Sequence, residues 1–154
     1  MTDHLYGHHW HDEYDEYDDQ WGLHLLLAGD AHDAPRLRDL IALLPVYAYG
    51  QVFVEVGATG GQRHVDPADW ALPPGMSLTV LRRSPGTPRP RRGQLLAAAV
   101  SGWASEWLPD GACGCAGPFA LWVGCAASPD VEGLCHALAQ RLDLAPAHLH
   151  RPDL

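Results

Sequence analysis

The sequence predicts an α/β domain: a three-layer, doubly wound, mostly parallel sheet with helices on both faces. Three observations predict it. Short apolar runs alternate along the chain with stretches of helical length and period. The runs are near-continuous in Leu, Val and Phe, which suits strands covered on both faces. The first run ends in a glycine turn that opens into a helix, "HLLLAGDAHDAPRLRDLIALL" from His24 to Leu44, the usual start of a nucleotide-binding sheet.

The elements follow in order. "WGLHLLLAG", residues 21–29, is the first strand. A helix starts at Asp33, a plausible N-cap, with Pro35 in its first turn. Leu37, Leu40, Ile41 and Leu44 form its buried face, and Pro45 ends it. Gly50–Gly57, rich in Val and Phe, is the second strand, and Ser77–Arg83 is the third. A loop with three prolines and three arginines leads to a second helix, Gly93–Leu108. Phe119–Cys125 is the fourth strand. The third helix has Ser128 as N-cap and Pro129 at its first position, and the remaining residues leave room for one short edge element. In such a sheet ligands lie at the carboxyl ends of the strands. Those ends are Gly29–Asp30, Gly57–Ala58, Arg82–Arg83 and Gly124–Cys125.

Composition narrows the function. The 154 residues carry a formal net charge of −9, but seven carboxylates and no arginine fall within residues 1–20. The remaining chain holds twelve acids against ten arginines, so the acidity belongs to a tail or arm (1–20) and the domain (21–154) is near neutral. No large basic field exists for nucleic acid. No basic, apolar leader follows Met1, and no apolar run approaches the ~20 residues of a membrane helix. The expectation is a cytoplasmic chain without a membrane partner, its cysteines (Cys113, Cys115, Cys125 and Cys135) mostly reduced. Within the arm, His4, His8, His9 and His11 precede "DEYDEYDD". Imidazole with carboxylate is a ligand set for Zn, Cu, Ni or iron, and equally a solvated arm. Cys113 and Cys115 are either surface thiols or a soft-metal pair, and two thiols do not complete a zinc site. Cys135 falls within the third helix as core.

The order of "LLLAGDAHDAPRLRDLIALLP", "GQVFVEV", "LTVLRR" and "FALWVGCA" resembles the carboxyl-terminal half of the siderophore-interacting protein family. These are flavin-dependent ferric-siderophore reductases whose second domain resembles the NAD(P)H-binding domain of ferredoxin reductases. Ala28, Gly29, Asp30 and Pro35 match the family's Ala-Gly-Asp-Glu-Thr turn and following Pro, with Ala31 and His32 in place of Glu and Thr. Val52 to Val56 match its second strand, and Arg82 and Arg83 the basic pair ending its third. The resemblance covers roughly residues 22 to 150. The family's fourth strand ends Gly-Glu, where Gly124 is followed by Cys125, and its closing Gly-Tyr-Trp run is replaced by "HRPDL". No Arg-x-Tyr-Ser/Thr stretch that would grip a flavin phosphate is present, so no flavin is expected on this chain alone.

The resemblance implies NAD(P)H as cofactor, held by Gly29, Asp30, Ala31, His32, Arg82, Arg83, Gly124 and Cys125. The turn amides would take pyrophosphate at the helix start, and the arginines, with Arg89, Arg91 and Arg92, the 2′-phosphate or ribose. Cys125 would face the nicotinamide. Each residue also has a structural reading: Asp33 capping the helix, Asp30 shaping the turn, the arginines solvated, Cys125 a small buried hydrophobe. A hydride carries two electrons and a ferric siderophore takes one, a mismatch that flavin bridges and side chains do not. A complete ferric-siderophore reductase is therefore not expected. One reading is a stand-alone domain in iron and siderophore metabolism that supplies an NAD(P)H site to a flavin-domain partner or works as a homo-oligomer. An alternative is a non-catalytic binding or regulatory module with a metal-capturing arm. A third is an NAD(P)-binding protein of other reaction.

Overall fold

The computed structural model describes residues 23–58, 65–86, 88–108, 119–142 and 147–151. The acidic His-rich arm and Cys113 and Cys115 lie outside them. The elements are β1 (His24–Asp30), α1 (Ala34–Ala42), β2 (Tyr49–Val56), β3 (Gly75–Arg82), α2 (Gln94–Trp107), β4 (Phe119–Val123), α3 (Pro129–Leu142) and β5 (Ala147–His150). One 3-10 turn, Pro67–Asp69, lies between β2 and β3. All five strands are parallel, in the order β3-β2-β1-β4-β5. The doubly wound expectation holds, and the expected short terminal element is the edge strand β5.

Side-chain alternation along the strands makes two cores. Leu25 and Leu27 of β1 join Val52, Val54 and Val56 of β2 and the Ala34, Leu37, Ile41 stripe of α1. Val65 and Trp70, from the β2–β3 crossover, pack on the same face. Leu26 and Ala28 point the other way, against Leu96, Val100 and Trp103 of α2 and Val131, Cys135 and Leu138 of α3. Strands thus progress from β1 to β3 with their links on one face, then from β4 to β5 with links on the other. Reversing direction and face together keeps every crossover the same hand. The reversal opens a crevice between the carboxyl ends of β1 and β4, where a fold of this kind receives a ligand.

The α1 face is covered unevenly. Beside α1, an apolar groove of about 440 Å³ runs over β1 and β4, lined by Leu25, Leu27, Leu40, Leu44 and Trp122, with Arg36 and His150 also in its wall. No helix among the described residues is long and apolar enough to cross a membrane.

At the amino end of the sheet His24 is buried among four rings. Tyr49 stacks on it at 4.6 Å between centroids, Trp103 and Trp107 meet it edge-on at 5.2 and 4.6 Å, and Phe119 lies at 5.5 Å. Burial lowers the His24 pKa below its usual value, because the charged imidazolium would leave water for this apolar nest. The unfolded chain therefore binds a proton at higher pH than the folded one. Stability falls as pH drops through about 6.5, the unfolded value, and goes on falling until the folded pKa is reached. Replacing His24→Phe keeps the ring packing and removes this proton. The melting temperature of the variant should decline less between pH 7 and 5 than that of the wild type in calorimetry. Parallel declines would exclude His24 as the source.

Candidate functional site

The carboxyl edge of the sheet gathers the amino termini of α1, α2 and α3, and acceptors from the chain itself meet the turn before α1 and the first turns of α2 and α3. At α1, Asp30 closes the turn. Its Oδ1 accepts the N–H of His32 at 2.8 Å and lies 3.4 Å from the N–H of Asp33. At α2 the acceptor comes from another element. Glu55, the one charge in the "VFVEV" strand, projects to the α2 face, where Oε1 accepts the Gly93 N–H at 2.8 Å and Oε2 the Leu96 N–H at 3.0 Å. Gly93 sits at φ 84°, a left-handed conformation that glycine adopts without a Cβ penalty. At α3, the Ser128 hydroxyl lies 3.4 Å from the Val131 N–H and donates to the Arg92 carbonyl at 2.9 Å. One side chain thus ties α3 to the entry of α2, and the Ser128 cap read from the sequence is present.

Two arginines neutralise the buried acids. Arg92 Nε donates to Asp30 Oδ2 at 2.6 Å. Arg83 Nε lies 3.3 Å from Glu55 Oε1, close enough for an ion pair but not aligned as a hydrogen bond. Burial pushes the Asp30 carboxyl up, but the Arg92 hydrogen bond, the His32 amide and the nearby positive charge outweigh it, so its pKa lies below the ordinary carboxylate range. The same contact outweighs desolvation at Arg92 and raises its pKa. Arg91, more exposed, pairs with Asp130 at 2.9 Å. Arg82 and Arg89 are exposed. Of the five arginines read as nucleotide contacts, three are therefore committed to carboxylates of this chain.

Asp33 differs most from expectation. Its side chain makes no hydrogen bond to α1. It turns instead into the crevice, where Oδ2 accepts the N–H of Asp30 at 3.0 Å and of Cys125 at 2.7 Å. The two candidate glycines make room for it. A Cβ added to Gly29 would lie 2.7 Å from the Asp33 Cβ, and one added to Gly124 would lie 2.6 Å from its Oδ2. Asp30 shapes the turn as read from the sequence, whereas the Asp33 side chain bridges to Cys125 instead of capping α1.

The other candidates take structural places. Ala31 is buried in the α1-side core. His32 is largely exposed, its Nδ1 3.4 Å from Asp30 Oδ1. Cys125 is 1% exposed, its thiol 3.8 Å from Asp30 Oδ2. Burial, then the Asp30 charge, pushes the thiol pKa up to about 12. Cys125 is thus a neutral thiol rather than a nucleophile at neutral pH. It holds φ 60° and Ala127 φ 64°, both left-handed without being glycine. Among the described residues no cluster of three or more His, Cys, Asp and Glu has metal-binding geometry; His4, His8, His9 and His11 lie outside them.

A pyridine dinucleotide, the group implied by the resemblance, would lay its pyrophosphate on the amides between β1 and β4. These residues do not fit it. From Asp30 to Asp33, and again at Gly124 and Cys125, every backbone N–H is already accepted inside the chain. Three carboxylates face two guanidinium groups here, and a phosphate would add charge of the sign already in excess.

Sequence reading missed Glu55 as the cap of α2 and Asp33 as a bridge to β4. Glu55 carried a readable signal, since a charge in an otherwise apolar parallel strand must find buried partners.

Glu55→Ala would orphan two amides and strand Arg83, a loss of about 3–5 kcal/mol and a fall in Tm on the order of 10 °C. Glu55→Gln, which keeps one acceptor, should fall less; calorimetry ranks the three proteins, and equal Tm values would remove Glu55 from the network. Cys125 and Cys135, the latter's pKa also raised by burial, should resist iodoacetamide at pH 8 in the native chain and react once denaturant unfolds it. Peptide mass mapping reads this, and rapid native labelling of Cys125 would mean an open crevice.

No protein-family model and no curated protein matches the sequence. Among solved structures the fold is similar to that of a siderophore utilization protein from T. fusca, with TM-score 0.56 and 22% identity over 83% of this chain and 43% of that one. The siderophore-interacting protein SipS from Aeromonas hydrophila gives TM-score 0.48 and 19% identity over 86% of this chain and 51% of that one. The chain is structurally similar to part of siderophore-interacting proteins, spanning about half their length or less.

Proposed function

We propose that the chain is a siderophore-interacting-type module tied to iron and siderophore metabolism, and that it binds or regulates rather than passing hydride by itself. The observation that carries the second half is Asp33, whose carboxylate sits on the amides of the switch-point crevice. Supplying an NAD(P)H site to a flavin-domain partner requires those amides to be free. The first half is supported by the shared α/β fold and by the motifs at Ala28–Asp30, Val52–Val56 and Arg82–Arg83. Reduction of a ferric siderophore by NAD(P)H needs a one-electron carrier between them, and no flavin-gripping stretch lies in these 154 residues. Residues outside this sequence, in a partner or elsewhere, would supply it.

Isothermal titration tests the link. The chain is titrated with a ferric hydroxamate, a ferric catecholate and a purified flavin-loaded domain of the siderophore-interacting type. Saturable heat with one of these is the expected outcome. Silence with all three would break the tie to siderophore metabolism, whatever the crevice does.

A further inference from the structure

The crevice between β1 and β4 is shaped for an anion and holds one of the chain's own. Two backbone N–H groups from strand ends 95 residues apart in sequence, Asp30 and Cys125, converge on one oxygen at 3.0 and 2.7 Å. Glycine on both sides, at 29 and 124, leaves space that a Cβ would take from that carboxylate. Cys125, whose N–H makes the shorter of these two bonds, holds a left-handed backbone without being glycine. A carboxylate accepting two main-chain amides uses the contacts that a phosphate oxygen would use.

We propose that Asp33 is a built-in anion that masks a phosphate seat: the crevice excludes diphosphates and pyridine dinucleotides while Asp33 is in place, and becomes an anion site when its carboxylate is removed. The inference rests on the preceding reading of the crevice as closed, not on the siderophore link. Two features keep the masked seat suited to a diphosphate. Without Asp33, the carboxylates of Asp30 and Glu55 are balanced by the guanidinium groups of Arg92 and Arg83. The Arg92 guanidinium, held beside the crevice by Asp30, is also 44% exposed and so keeps a positive charge open to solvent there.

The test compares wild type, Asp33→Ala and Asp33→Asn as full chains, titrated with inorganic pyrophosphate and with NADPH. Binding is read by calorimetry and by the amide NMR shifts of Asp30 and Cys125. Asp33→Asn separates shape from charge, since its amide side chain still fills the space and offers one acceptor. Wild type and Asp33→Asn should be silent to millimolar ligand, with the two amides unmoved. Asp33→Ala should bind pyrophosphate at least about tenfold more tightly, the factor of one ordinary hydrogen bond, with both amides shifting. Should the alanine variant not fold, Asp33→Ser, which shortens the side chain and removes the charge, takes its place in the same titration. Wild-type binding of NADPH or pyrophosphate that shifts those amides would overturn the proposal, as would a folded alanine or serine variant that stays silent. Failure here would leave the siderophore titrations unaffected, and their failure would leave this result standing.

Discussion

A carboxylate buried in a packed α/β core stays ionised only if donors surround it, and that constraint shapes the carboxyl edge of this sheet. Glu55 and Asp30 are 2% and 4% exposed. Around them the chain places helix-end amides, Arg83 and Arg92. The donors come from the turn after β1, from Arg83 beyond β3 and from Arg92 to Leu96, so satisfying these two acids fixes how α2 meets β2 and how the loop before α2 meets β1. Ser128 extends the tie to α3 through the Arg92 carbonyl. The apolar cores hold the layers together without choosing a direction along them, whereas the polar edge sets their alignment.

The same edge separates fold from activity. The order β3-β2-β1-β4-β5 is a frame on which dinucleotide sites are built, and the sheet here has the reversal such sites need. What occupies the reversal is decided by individual side chains. An aspartate on the turn, two flanking glycines and a thiol with a pKa near 12 make the place dense, anionic and chemically quiet. The likeness to part of siderophore-interacting proteins is therefore a likeness of fold, and the chemistry done on it is a separate matter.

Much of the scaffold could be read from local signals. The strand–glycine–helix opening, Pro35 and the Ser128–Pro129 start of α3 each carry their structural instruction within a few residues. Strand ends differ by up to three residues from the reading, as in β3, which begins at Gly75 rather than Ser77. The site was legible only in part. Asp33 stands where a helix cap belongs, so a local explanation was sufficient and concealed its partner at Cys125, 92 residues away. Arg83 at a strand end and Arg92 in the loop after it carry no local sign of a buried partner. Their acids lie in strands that reach them only after the sheet is assembled, and no spacing rule connects the two.

The strand order also dictates a sequence of assembly. β1 is the central strand and is made first, yet one of its two neighbours, β4, is separated from it by nearly a hundred residues of chain. A nascent chain in which β1, β2 and β3 have paired still presents the other edge of β1, with its Leu-rich run, as an open row of main-chain donors and acceptors. Pairing of that edge within the chain awaits synthesis through Val123, and long-range parallel pairing is intrinsically slow. The interval in which this protein is most prone to stick to its neighbours is therefore set by the ribosome and by loop closure, and the arrival of Phe119–Val123 ends it.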